Sequence, residues 1–237
     1  MSAKGTLYLL PVGLGESNLE DVLPKRNLDL IKSLTYFVAE NAKEARAFLK
    51  QCAYPEISRA ELSLINQHVK TDELNSFLEP LLQGHNMGLM SDAGCPGIAD
   101  PGAEIIKLAH KKEIKVVPLV GPSSIVLSIM ASGFNGQNFA FNGYLPIDKA
   151  ERPKRIKELE QLTVKFKQAQ FFIETPYRNG TMFEDLLKTL QPNTYLLVAT
   201  NITLGDECIL VKPISAWKKG ETPDFYKKPT VFGLYTY

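Results

Sequence analysis

The 237 residues are enough for one large domain or two, and 44% hydrophobic against 22% charged residues is the balance of a folded globular chain, which excludes disorder and low-complexity readings. Lys and Arg total 27 against 26 Asp and Glu, so the net charge of +1 supplies no general attraction to nucleic acid, and only a local basic patch could serve. No apolar run reaches the roughly 20 residues that span a bilayer, and Met1 to Gly5 lead into a strand pattern without a signal-peptide layout, so a cytoplasmic protein is expected.

In chain order, Thr6 to Val12 is a short apolar run that ends in the turn-rich Gly13-Leu14-Gly15, the pattern of a buried first strand of a parallel sheet. Pro24 opens a helix through Ser33, Thr35 to Glu40 reads as a second strand, and Ala42 to Cys52 as an amphipathic helix. Ile57 and Glu61 to Val69 give weaker signals, and Thr71-Asp72-Glu73 cap a helix predicted to run to Gln83. Met87 to Met90 is a strand, followed by the loop Ser91 to Gly102, a helix from Ala103 to Lys112, and a strand from Lys115 to Val120. Gly121-Pro122-Ser123-Ser124 then turns into the apolar helix Ile125 to Ala131. Alternating β and α units of this kind imply a mostly parallel sheet. Composition shifts at Phe139 to Pro146, which sets the domain boundary at 141/142, an N-terminal α/β domain over 1–141 and a C-terminal one over 142–237. Beyond it come a charged helix over Asp148 to Glu160, a strand Gln170 to Glu174, a helix Met182 to Leu190, and strands Tyr195 to Asn201, Glu207 to Val211 and Thr230 to Tyr235, the pattern of a mixed sheet.

The loop Ser91 to Gly102 carries three glycines and two prolines at a strand end, the make-up of a loop built for close backbone approach to a ligand. Gly121 to Ser124 repeats that construction one βα unit later. Gly13-Leu14-Gly15 with Glu40 superficially matches a dinucleotide fingerprint, but Asn18 stands where the third glycine belongs and Pro24 starts the helix too late to receive a phosphate. Cys52, Cys95 and Cys208 are odd in number and widely spaced, and His68, His85 and His110 are scattered, so neither a disulfide framework nor a metal site is expected. Cys95 reads as a small residue in a tight loop rather than a nucleophile, and Asp100 as a turn-stabilising acid. The run Arg152, Lys154 and Arg155 is interleaved with Glu151, Glu158 and Glu160, so a solvated helical face is the default reading; with Arg178 these residues are the candidates for phosphate contacts if the substrate is RNA.

Taken together, GTLYLLPVG with NLEDV, SDAGCPGIADPG, VVPLVGPSS, FNGYLP and FFIETPYR, in this order, resemble the tetrapyrrole methylase family of S-adenosylmethionine-dependent methyltransferases, most closely the branch that 2′-O-methylates a cytidine of small-subunit ribosomal RNA. The resemblance implies two α/β domains with the methyl donor, S-adenosyl-L-methionine, in a cleft between them, commonly in a homodimer. It implies donor contacts from Gly13, Leu14, Gly94, Cys95, Ile98, Ser123 and Ser124, and from Ile173, Ala199 and Thr230 of the second domain. The chain departs from the branch at Glu40-Asn41-Ala42-Lys43, at Tyr177 and at Thr200 to Leu204. Ribosomal RNA or the small ribosomal subunit is the expected partner; a tetrapyrrole or other small-molecule substrate, or a non-catalytic donor-binding protein, stays open. Glu40 and Asp92, the acids nearest the predicted strand ends, are the candidates for a general base, with local capping and loop organisation as the alternatives.

Overall fold

The computed structural model describes residues 3–66 and 71–237, so Met1, Ser2, His68 and the end of the weak signal over Glu61 to Val69 lie outside the described residues. Two compact units, 1–123 and 124–237, each carry their own sheet and core.

The first unit holds β1 (Thr6–Leu9), α1 (Lys25–Ser33), β2 (Tyr36–Ala39), α2 (Ala42–Gln51), β3 (Glu61–Leu64), α3 (Thr71–Phe77), α4 (Glu79–Leu82), β4 (Met87–Leu89), α5 (Gly102–Lys111) and β5 (Lys115–Pro118). Its five strands are all parallel, in the order β3-β2-β4-β1-β5. Because successive side chains on a strand point to opposite faces, Leu10, Phe37 and Ala39 pack with Leu28, Ile31, Phe48 and Leu49 of α1 and α2. Leu7, Val38, Met87 and Leu89 pack on the other face with Leu78, Leu81, Ile105 and Leu108. The chain thus winds outward from β1 over one face and returns through β4 over the other, which makes the neighbouring ends of β1 and β4 the switch point where ligands of such sheets bind. The helix expected over Asp72 to Gln83 is two pieces, because Pro80 sits at the second position of α4 and has no N–H to continue the preceding turn.

The second unit holds α6 (Ser124–Ser132), β6 (Phe139–Tyr144), α7 (Glu151–Phe166), β7 (Ala169–Glu174), α8 (Asn179–Thr189), β8 (Tyr195–Thr200), β9 (Cys208–Pro213), α9 (Ile214–Trp217) and β10 (Thr230–Tyr235). The order is β6-β7-β10-β8-β9, with β6 and β7 parallel and the other pairs antiparallel. The last strand in sequence is therefore the central one, and all six of its residues are buried. Phe172, Val198, Phe232 and Leu234 pack with Ile156, Leu159, Met182 and Leu186 of α7 and α8 on one face. On the other, Phe134 stacks on Tyr235 and tilts against Phe171.

The units divide at Ser123 and Ser124, ahead of the composition shift at 141/142. Helix α6 packs on β9 and β10, and Phe139 to Tyr144, read from sequence as a change of composition only, is the edge strand beside β7. Gly143 with φ of 62° and a slipped register between Phe141 and Tyr144 hide that strand's alternation. Among the described residues, no helix is long and apolar enough to cross a membrane.

Candidate functional site

Three loops leave the carboxyl ends of adjacent strands β4, β1 and β5; a main-chain bridge joins those after β1 and β4, and close packing with a thiol hydrogen bond brings in the one after β5. Val12 donates its N–H to the Gly94 carbonyl at 2.9 Å and accepts the Gly94 N–H at 3.1 Å, an isolated antiparallel bridge between the first and second loops. Gly94 holds φ of 73°, where a side chain would be strained, and the Leu14 side chain lies against it. On the third loop, a Cβ on Gly121 would stand 2.2 Å from the Pro11 Cβ, so only glycine lets the turn lie against the first loop. The Cys95 thiol donates to the Pro122 carbonyl at 3.4 Å, and burial pushes its pKa up, which suits a wall of the site and not a nucleophile. Asp100 accepts N–H bonds from Gly97 at 2.8 Å and Gly102 at 2.7 Å, the turn-stabilising part its position predicts. Leu14, Gly94, Cys95 and the turn that runs into Ser123 are thus brought together, with Gly13 adjoining, Ile98 49% exposed on the second loop, and Ser124 opening α6. The Pro11 to Gly121 contact has no signature in sequence, since neither residue is unusual alone.

Two carboxylates stand at the same strand ends. Glu40 follows β2 and Asp92 follows β4, which are hydrogen-bonded neighbours, so the two acids stand at adjacent strand ends. Burial, and then the charges of Asp92 and Asp100, raise the Glu40 pKa above its usual value. Burial and the nearby Glu44 raise Asp92. The capping alternative for Glu40 fails, because Asn41 caps α2 by accepting the Lys43 N–H at 2.9 Å. A pair of acids whose affinity for protons is raised at a ligand-binding edge can accept a proton and can complement a cationic ligand.

In the second unit Ile173 and Ala199 flank Val231 on neighbouring strands, so both face the α6 side of the sheet. Thr230 does not join them. Its hydroxyl turns to the opposite face, within 3.2 Å of the Thr200 hydroxyl, donating to the Lys228 carbonyl at 3.1 Å and accepting from Asn179 Nδ2 at 3.1 Å. Successive residues of a strand point to opposite faces, and the Thr230 side chain is the one placed in the core.

Of known proteins, one from Leptospira biflexa serovar Patoc named ribosomal RNA small subunit methyltransferase I is 32% identical over 207 residues, 86% of this chain and 80% of that protein. The chain belongs to the ribosomal RNA small subunit methyltransferase I family. A member from Escherichia coli O157:H7 is 28% identical over 92% of this chain and 73% of its own length. The crystal structure of the methyltransferase CobJ superposes with a TM-score of 0.64 at 17% identity, over 99% of this chain and 95% of that one, so the fold is that of the tetrapyrrole methyltransferases. No family model matches the chain.

For a methyltransferase of this family the basic residues expected to meet RNA are differently placed from one another. Arg152 is 3% exposed: it pairs with Asp185 at 2.8 Å and donates to the carbonyls of Pro146 and Ile147, so it clamps the entry to α7 and is not a surface contact. Lys154 pairs with Glu151 at 2.9 Å, and Arg155 with Glu158 at 3.0 Å and Asn142 at 3.1 Å. Arg178 is bound to Glu174 through two nitrogens, at 2.9 and 2.6 Å. The solvated-face reading holds for Lys154 and Arg155; Arg152 belongs to the core.

Proposed function

We propose that the protein transfers a methyl group from S-adenosylmethionine to a ribose hydroxyl of small-subunit ribosomal RNA. The observation that carries this reading is the joining, in a member of a methyltransferase family, of three interlocked strand-end loops with two carboxylates of raised pKa. The residues fit the donor: Gly94 and Gly121 let the three loops close on one another, Leu14 and Ile98 offer apolar contact, and the acids complement a positive sulfonium. When bound, S-adenosylmethionine supplies an electrophilic methyl carbon.

The protein's own part is alignment and proton transfer. Gly13, Leu14, Gly94, Cys95, Ile98 and Ser123, gathered at the strand ends of the first unit, are the donor contacts of this reading. Positioning of the two reactants supplies about 7–11 kcal/mol at its best. Glu40, whose raised pKa is due first to burial and then to Asp92, takes the hydroxyl proton on its carboxylate; such help is worth about 10² to 10⁴ in rate. The reading includes a homodimer, supported by the apolar outer surface of α6 with Met130 73% exposed, and a cytoplasmic site of action, where ribosomes are assembled.

The test is methyl labelling of an extract from a strain lacking the protein, with purified protein added back. Label on small-subunit RNA is expected. Label on a tetrapyrrole overturns the substrate, and donor binding without any label overturns the activity.

A further inference from the structure

Residues 174–179 present two side chains to solvent from an anchored turn. Glu174 ends β7 with its side chain fully buried, and its Oε1 accepts the Thr175 N–H at 2.7 Å, Arg178 Nε at 2.9 Å and Arg178 Nη2 at 2.6 Å. Pro176 opens the 3-10 turn over Pro176–Arg178, which the Arg178 N–H closes by donating to the Thr175 carbonyl at 2.9 Å. On the far side Asn179 is buried and donates to the carbonyls of Lys228 at 2.8 Å and Phe225 at 3.3 Å. Between these two fixed points stands Tyr177, 76% exposed. An aromatic ring held outward on a turn pinned at both ends has already lost most of the freedom that binding would take from it.

The ion pair also decides what Arg178 can do. Glu174 cancels its charge, so the guanidinium does not serve as a free cation drawn to a phosphate backbone. The bonds through Nε and Nη2 fix the plane of the group, and the Nη1 edge lies outside them. A planar donor of set direction beside an exposed ring matches the recognition of an unstacked base, which offers a π-face and hydrogen-bonding edges together. A duplex does not offer the two together, because its bases are stacked and its deep groove does not admit side chains.

We propose that Tyr177 and Arg178, with Glu174 as the positioning residue, bind one unpaired nucleotide of the RNA substrate, the base stacking on the Tyr177 ring and accepting from Arg178 Nη1. This rests on the RNA reading above and narrows it: the substrate enters as a single-stranded or extruded nucleotide.

The experiment compares wild type, Tyr177→Ala, Tyr177→Phe, Tyr177→Trp and Glu174→Gln on a single-stranded small-subunit RNA fragment and on the same sequence held in a duplex. Tyr177→Ala should raise KM for the single strand about 5- to 150-fold, the range of one base–aromatic stack, with kcat and donor affinity unchanged. Tyr177→Phe should keep wild-type KM. Glu174→Gln should raise KM and leave kcat, a split that mere loss of stability does not produce. The sole native tryptophan, Trp217, is buried, so a fluorescence change in Tyr177→Trp on adding the single strand and not the duplex reports the stack directly. If wild type labels RNA and Tyr177→Ala labels it with unchanged KM, or if duplex and single strand respond alike, the proposal falls and the RNA reading stands. If wild type labels no RNA, both fall.

Discussion

In residues 1–123 the strand ends that gather at the candidate site are held by backbone: Val12 and Gly94 exchange N–H bonds, and Pro11 lies on Gly121. In residues 124–237 the strand and helix ends are held by buried side chains: Arg152 on Asp185, Glu160 on Thr194, and Glu174 on Arg178. The first arrangement leaves a site whose shape depends on glycines and prolines and whose free side chains are acids. The second consumes two basic residues, Arg152 and Arg178, in holding the unit together, so a positive charge in the sequence there is not always free. Charge at a position tells what a residue carries, while burial tells whether that charge is available to a partner.

Substitutions that attack each kind of fastening sharpen this contrast. Arg152→Ala should have the largest effect, because it leaves Asp185 without its partner and frees the Pro146 and Ile147 carbonyls; a loss of about 3 kcal/mol in urea unfolding is expected, at the low end for a broken buried pair since Asp185 is 21% exposed. Unchanged stability would show that the second unit does not depend on this clamp. Gly121→Ala comes next: its methyl overlaps Pro11, and about 1–3 kcal/mol should be lost, together with donor affinity measured by calorimetry. Retained affinity would separate the turn from the site.

Smaller effects follow from the acids and the surface. Because the folded state raises the Glu40 pKa above its usual 4.5, its contribution to stability is fully present below that value and is lost as pH rises through the raised one. Glu40→Gln should therefore flatten the fall of the urea midpoint as pH increases from 4.5, while lowering the methylation rate; a parallel midpoint curve would mean that Glu40 is unperturbed. Lys154→Ala removes only an exposed pair with Glu151 and should change stability by less than about 0.5 kcal/mol and leave RNA binding as it was.

The sequence announces the first unit more fully than the second, for physical reasons. Buried parallel strands are unbroken apolar runs, and their loops must be rich in glycine and proline, so β1, β4, β5 and their loops can be read directly. The helix from Lys25 to Ser33 is met at both ends because Pro24 marks its start. In the second unit the signals blur: the positive φ of Gly143 and the slipped register mask β6, and the resemblance that points to Thr230 does not say which face of its strand the side chain takes. Arg152 looks like any other member of a charged helix until Asp185, which comes from a different helix, is set opposite it. Long-range pairs of this kind leave no local pattern.

The central place of β10 bears on how the protein comes into being. Neither β7 nor β8 has its final neighbour until residues 230–235 have been made, so the second sheet cannot close while the chain is still growing toward them. The first unit meets the same condition much earlier, when β4 inserts between β2 and β1. A nascent chain halted between these two points would carry one finished sheet and one with two open edges, the state most exposed to wrong pairing. Folding on the ribosome should accordingly proceed in two steps, with the later one waiting on the last strand.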